Sequence, residues 1–212
     1  MKKTILASCL AMFMVTAAMA QPISDRAVVP VAITLNEILR LHVTNGGNVE
    51  FVFNTINDYK TGVANTAFYD TDVVIAASEN WRLDFGAEDA TMTGTDNPLN
   101  TLLINNVGFI VGWTGTNTCC AAGSEVVMGA VHLNASATAN GLALFPVTLL
   151  TWGGVAASTN GGDILENAFT INWEAGTAVV GGTTAMNPTN MLIQSPEPDR
   201  YVVNVLLDLQ DF

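Results

Sequence analysis

The chain has 212 residues and a mass of 22.4 kDa; half of it (50%) is hydrophobic and only 12% is charged, about half the charged share of roughly 25% typical of globular proteins. It is too apolar and too sparsely charged to be disordered, and long enough to bury one core. With 19 Asp and Glu against 7 Lys and Arg, it lacks the clustered cations that bind phosphate backbones or anionic membranes, which excludes nucleic acid as an expected partner.

The N-terminus, MKKTILASCLAMFMVTAAMA, has two lysines, an apolar run from Ile5 to Val15 and small residues ending in Ala18-Met19-Ala20. This is the plan of a secretory signal peptide over residues 1–20, with cleavage expected before Gln21. The rival reading, a lipoprotein box at Leu6-Ala7-Ser8-Cys9, leaves too few residues ahead of it. Without Lys2 and Lys3 the net charge of −12 becomes −14. No later run has the roughly 18 consecutive apolar residues a spanning helix needs, so an exported protein without a transmembrane segment is expected, secreted or held at the cell surface.

From residue 21 to 212 the dominant period is two, and a single domain is expected. Val29, Val31, Ile33 and Leu35 alternate with Pro30, Ala32 and Thr34, opening an N-terminal strand segment over 27–43. Within it, Thr34–Glu37 also fits a helix capping box, but strand is preferred for 37–43. Val49, Phe51 and Phe53 alternate next, followed by a short helical turn near 56–60. Further strands are expected at 71–77, 81–85, 101–112, 125–133, 142–151, 165–174, 189–194 and 201–209. Asn-, Asp-, Gly- and Pro-rich stretches such as 44–48, 94–98, 159–163 and 194–198 separate them and read as chain reversals. About ten short strands with no βαβ rhythm predict an all-β fold, a single antiparallel sandwich.

No residue pattern names a reaction. His42 and His132 are the only histidines, both in strand-like runs, and no G-x-S-x-G or H-E-x-x-H pattern accompanies them. The chain is read as non-enzymatic, with no catalytic residues, no metal site and no cofactor; a glycoside hydrolase using two carboxylates is the weakest alternative. Acidic segments at Asp70-Thr71-Asp72, and at Glu88-Asp89 with Asp96, lack the EF-hand spacing and read as solvated loops. Trp113 and Trp152 are the candidate platforms for a sugar ring, should the protein be a carbohydrate-binding or adhesin module, with simple packing the alternative for Trp113; Trp81 and Trp173 sit in alternating runs and read as core. Cys119 and Cys120 are adjacent, so they form a vicinal disulfide, pair between chains or stay reduced.

The edges carry more information. A sheet edge offers unpaired N–H and C=O groups, which folded monomers blunt with lysine, proline or a bulge. After leader removal Lys60 is the only lysine. The alternating Val29, Val31, Ile33 and Leu35 can complete the chain's own sheet or enter a neighbour's by strand addition. Self-association into a homopolymer, or contact with other surface proteins, is therefore the expected partnership.

The segments NVEFVFNTINDYKTG at 48–62, ASENWRLDF at 77–85 and PDRYVVNVLLDLQ at 198–210, with the N-terminal strand from Val29 to Val43, resemble exported β-sandwich surface proteins of the pilin-like and WxL-like kind. Trp81-Arg82-Leu83 is the only W-x-L, a departure from the WxL pattern. The resemblance implies an immunoglobulin-like or jelly-roll sandwich serving as a structural or adhesive surface component, as in a pilus, with no catalytic residues to carry over.

Overall fold

The computed structural model describes residues 29–63, 66–117, 140–151, 159–176 and 186–211. The chain divides into two units, residues 1–35 and 36–212. In the first, residues 29–35 carry no helix or strand, so the expected N-terminal strand begins only at Leu39 rather than near residue 27. A strand exists by its ladder, and alternation alone supplies no partner.

The second unit is all-β and sandwich-like. Its elements are β1 (Leu39–Asn45), α1 (Ile56–Thr61), β2 (Asp70–Ala77), β3 (Trp81–Ala87), β4 (Thr91–Gly94), β5 (Thr101–Leu103), β6 (Val107–Trp113), β7 (Asn140–Gly141), β8 (Val147–Thr151), β9 (Gly162–Ala175), α2 (Met191–Gln194), β10 (Tyr201–Val202) and β11 (Val205–Asp211). Five strands form one sheet in the order β1-β2-β9-β6-β7, three form a second in the order β11-β3-β8, and a small third sheet runs β10-β4-β5. The strand pairings are antiparallel.

The inward faces of the two larger sheets make the core. From the first come Val73 and Ile75 of β2, Phe109 and Val111 of β6, and Phe169, Ile171 and Trp173 of β9; from the second come Trp81, Leu83 and Phe85 of β3 and Leu149 and Leu150 of β8. Phe85 bridges the layers, its ring centroid 4.7 Å from that of Phe109 and 5.9 Å from that of Trp173. Full burial of such side chains contributes about 1.5–3 kcal/mol each.

Most expected strands are present with shifted ends, and three expectations change. Within the expected strand 189–194, Met191–Gln194 form the helical turn α2: Asn190 caps it, its Oδ1 accepting from the Ile193 N–H at 2.9 Å, while Met191 is buried. Six residues are too few for alternation to outweigh a local cap. Residues 48–53 carry no strand, although Val49 and Phe51 pack on the core and Phe51 lies 4.4 Å from the Tyr69 ring. The run at 101–112 is interrupted by a 3₁₀ turn at Ile104–Asn106. The helical turn near 56–60 is α1, closed by a reciprocal capping box between Thr55 and Asp58. Residues 125–133 lie outside the described residues.

Candidate assembly interface

Period-two alternation fixes which side chains of a strand face the core, and the topology then fixes which backbones lack a neighbour. Among the described residues β1 ends the five-stranded sheet and β11 ends the three-stranded one, and the two strands approach each other across the sandwich. Their inward side chains are Leu39, Leu41 and Val43 on β1 and Val205, Leu207 and Leu209 on β11. All six are only half-buried, though they pack on the core. The matching positions on the interior strands are sealed: Val73, Ile75 and Leu83 are 0% exposed. On the opposite side Leu142, Leu149 and Leu150 are buried, while Val147 of β8 is half-buried and Leu144 is 49% exposed. Along the side that β1 and β11 share, the inward positions of these two strands are half-buried throughout.

Backbone direction on that side follows from two hydrogen bonds. The Ser78 N–H donates to the Ile38 carbonyl at 2.9 Å, and Ile38 stands one residue before Leu39 in the register that pairs Leu39 with Ala77. In an antiparallel ladder the bonded residues alternate, so Arg40 and His42 also bond toward β2 and the peptide groups of Leu39, Leu41 and Val43 aim at the open side. On β11 the Glu88 N–H donates to the Asn204 carbonyl at 2.9 Å, one step before the pairing of Val205 with Ala87. By the same alternation Leu206 and Asp208 bond to β3, and Val205, Leu207 and Leu209 present their N–H and C=O groups outward.

The two edges differ in regularity. β1 shifts register between Val43 and Asn45 and carries Arg40 and His42 on its outer face. β11 pairs residue for residue with β3 along all seven positions. Its outer face is organised by Arg82 of β3, whose Nη2 donates to Asp84 Oδ2 at 3.2 Å and also to Gln210 Oε1. Asp84 in turn accepts from the Thr148 hydroxyl at 2.9 Å. β11 has no lysine, proline or bulge, the devices that blunt an edge.

Of the residues singled out from the sequence, Val29, Val31, Ile33 and Leu35 are exposed by 79–89%. Trp113 occupies the core: it is 9% exposed, stacks on Phe169 at 6.3 Å and donates its indole N–H to the Asn117 carbonyl at 3.2 Å. That corrects its reading as a sugar platform, because the ring face is spent on Phe169. Trp152, His132, Cys119 and Cys120 lie outside the described residues. Asp70 and Asp72 point outward from β2 and are engaged by Asn172 Nδ2 and the Thr170 hydroxyl, each at 2.7 Å. Among the described residues no three His, Cys, Asp or Glu side chains converge as metal ligands. No helix among them is long and apolar enough to cross a membrane.

The half-open side was not identified from the sequence. Alternation marks Leu39 or Leu207 as inward-facing, but nothing local distinguishes an edge strand from an interior one. Compared with known proteins, the chain matches no family model and no curated protein sequence.

Proposed function

We propose that this protein is an exported, non-catalytic structural subunit of an extracellular or cell-surface assembly, which self-associates by edge-strand pairing with residues 29–35 as the assembly strand. The observation that carries the reading is the exposure of Val29, Val31, Ile33 and Leu35, four apolar side chains at strand spacing without secondary structure. Solvating such a stripe is costly, and contiguous apolar exposure marks interaction sites. The signal-peptide pattern of residues 1–20 supports export, and the near absence of lysine supports edges left open to pairing.

Electron microscopy of the purified protein tests the reading. Wild-type protein forms filaments on concentration. Ile33→Asp, which places a carboxylate in the middle of the stripe at an exposed position, abolishes them while leaving the thermal midpoint unchanged. Monodisperse wild-type protein at high concentration would overturn the reading.

A further inference from the structure

Asn45, Asn140 and Asn160 are each followed by glycine. Asparagine loses its side-chain amide most readily in that pair, because a residue without Cβ leaves the next backbone nitrogen unhindered and free in φ and ψ. We infer that Asn45 is the modification site among the three: its amide is lost spontaneously through a cyclic imide closed by the Gly46 nitrogen, leaving aspartate and isoaspartate at the end of β1.

The bonds balance with water as the only reagent. The Gly46 nitrogen gives up its proton and attacks Asn45 Cγ; the Cγ–Nδ2 bond breaks, and Nδ2 takes up a proton and departs as ammonia. One water then opens the five-membered imide. Cleavage between Cγ and the Gly46 nitrogen gives aspartate, and cleavage at the backbone carbonyl of residue 45 gives isoaspartate. Nothing is oxidised or reduced.

The fold separates the three pairs. Asn45 is exposed, it is the last residue of β1, and the ladder to β2 shifts register between Val43 and Asn45. Its Nδ2 is held by one long contact, 3.4 Å to Asp72 Oδ2. Among the described residues the Gly46 N–H has no acceptor. Gly46 has a φ of 66°, in the left-handed region, and a Cβ there would collide with the Asp70 carbonyl, so the turn requires glycine and the sensitive pair comes with it. Asn160 is the opposite case. It is 0% exposed, its amide bonds both the N–H and the carbonyl of Trp81, and the Gly161 N–H donates to Thr159 Oγ1 at 2.9 Å. Asn140 is 1% exposed. Water reaches either of these only after local unfolding, which costs part of the stability of the fold.

The product alters the sheet. Asn45 stands opposite Asp72 in the β1–β2 register, and Asp72 Oδ1 already accepts from the Thr170 hydroxyl at 2.7 Å. Hydrolysis exchanges the Nδ2 donor for a second carboxylate facing Asp72, and like charges directly opposite each other destabilise a strand pair. Isoaspartate also adds a methylene to the main chain next to Gly46. The Gly46 carbonyl accepts from the Thr71 hydroxyl at 2.7 Å, and Thr71 Oγ1 accepts from the Trp173 indole N–H at 2.9 Å. Two hydrogen bonds therefore connect the modified step to a core tryptophan.

Peptide mapping by mass spectrometry, on full-length protein aged at mildly alkaline pH, tests the site. The peptide with Asn45 is expected to show the exchange of NH2 for OH, as two isomers of which one is labelled by isoaspartate methyltransferase, about tenfold faster than the peptides with Asn140 or Asn160, whose reaction waits on local opening. Asn45→Gln, which would need a six-membered ring, is expected to keep its mass at that position. Aged wild type is expected to change its tryptophan fluorescence, and aged Asn45→Gln is not. An Asn45 peptide that keeps its mass, while the same chain unfolded in urea converts there, would overturn the site. Conversion of Asn140 or Asn160 at the rate of Asn45 would overturn the selection by the fold, and converted protein with unaltered fluorescence would overturn the link to Trp173.

Discussion

The side-chain amide of Asn160 acts as a strand partner for Trp81. Its Oδ1 accepts from the Trp81 N–H at 2.9 Å, and its Nδ2 donates to the Trp81 carbonyl at 3.0 Å. The Asn160 carbonyl also accepts from the Trp81 indole N–H at 2.8 Å and from Asn167 Nδ2 at 2.9 Å. Asn160 and Trp81 are both 0% exposed, so this network replaces water at the start of β3, where among the described residues the ladder to β8 has not yet begun.

Removing that amide leaves two backbone groups buried without partners. At about 1–3 kcal/mol for each unsatisfied group, Asn160→Ala is expected to destabilise the fold by about 3 kcal/mol. Urea unfolding followed by tryptophan fluorescence measures this as a lower midpoint at unchanged slope. Asn160→Asp keeps the acceptor and loses the donor to the Trp81 carbonyl, so it is also expected to destabilise.

Acid should loosen the loop that joins β4 to β5. The Asp199 carboxylate accepts from the backbone N–H groups of Asp96 at 2.9 Å and Asn97 at 3.1 Å and from Asn100 Nδ2 at 3.0 Å. These bonds, that from Asp96 foremost, lower its pKa from 3.8 to about 2. A carboxylate depressed in the folded state adds stability above its unfolded pKa, and that stability is lost as pH falls through the folded value. The thermal midpoint should therefore drop between about pH 4 and pH 2, and Asp199→Asn should flatten that drop while lowering the midpoint at pH 7. An equally steep acid limb in the variant would assign the loss to other groups, among them Asp58, whose pKa the Thr55 backbone N–H also lowers.

Assembly should respond to salt. Each copy carries a net charge of −12, or −14 without the leader lysines, so neighbouring copies repel. At about 0.15 M salt the screening length is roughly 8 Å, against about 30 Å at 0.01 M. Filament growth followed by light scattering is expected to be faster at the higher ionic strength, whereas assembly held by ion pairs would slow.

The sequence by itself determined the class of the fold and the inward face of most strands. Trp81, Leu83 and Phe85, or Val205, Leu207 and Leu209, fall on one face wherever the chain is pleated, because side-chain direction has period two whatever the partner. The helical turn near 56–60 was legible as well, and the structure closes it with the Thr55–Asp58 capping box. Tertiary structure decided the rest. Val29–Leu35 and Val205–Leu209 carry the same alternating signature, yet one is an exposed segment without secondary structure and the other a paired edge strand. Trp113 in its Gly- and Thr-rich surroundings left a sugar platform and simple packing both open, and Phe169, 56 residues later in the sequence, takes its face. Pairing is a relation between distant segments, and whether a side chain is covered depends on which strand arrives beside it.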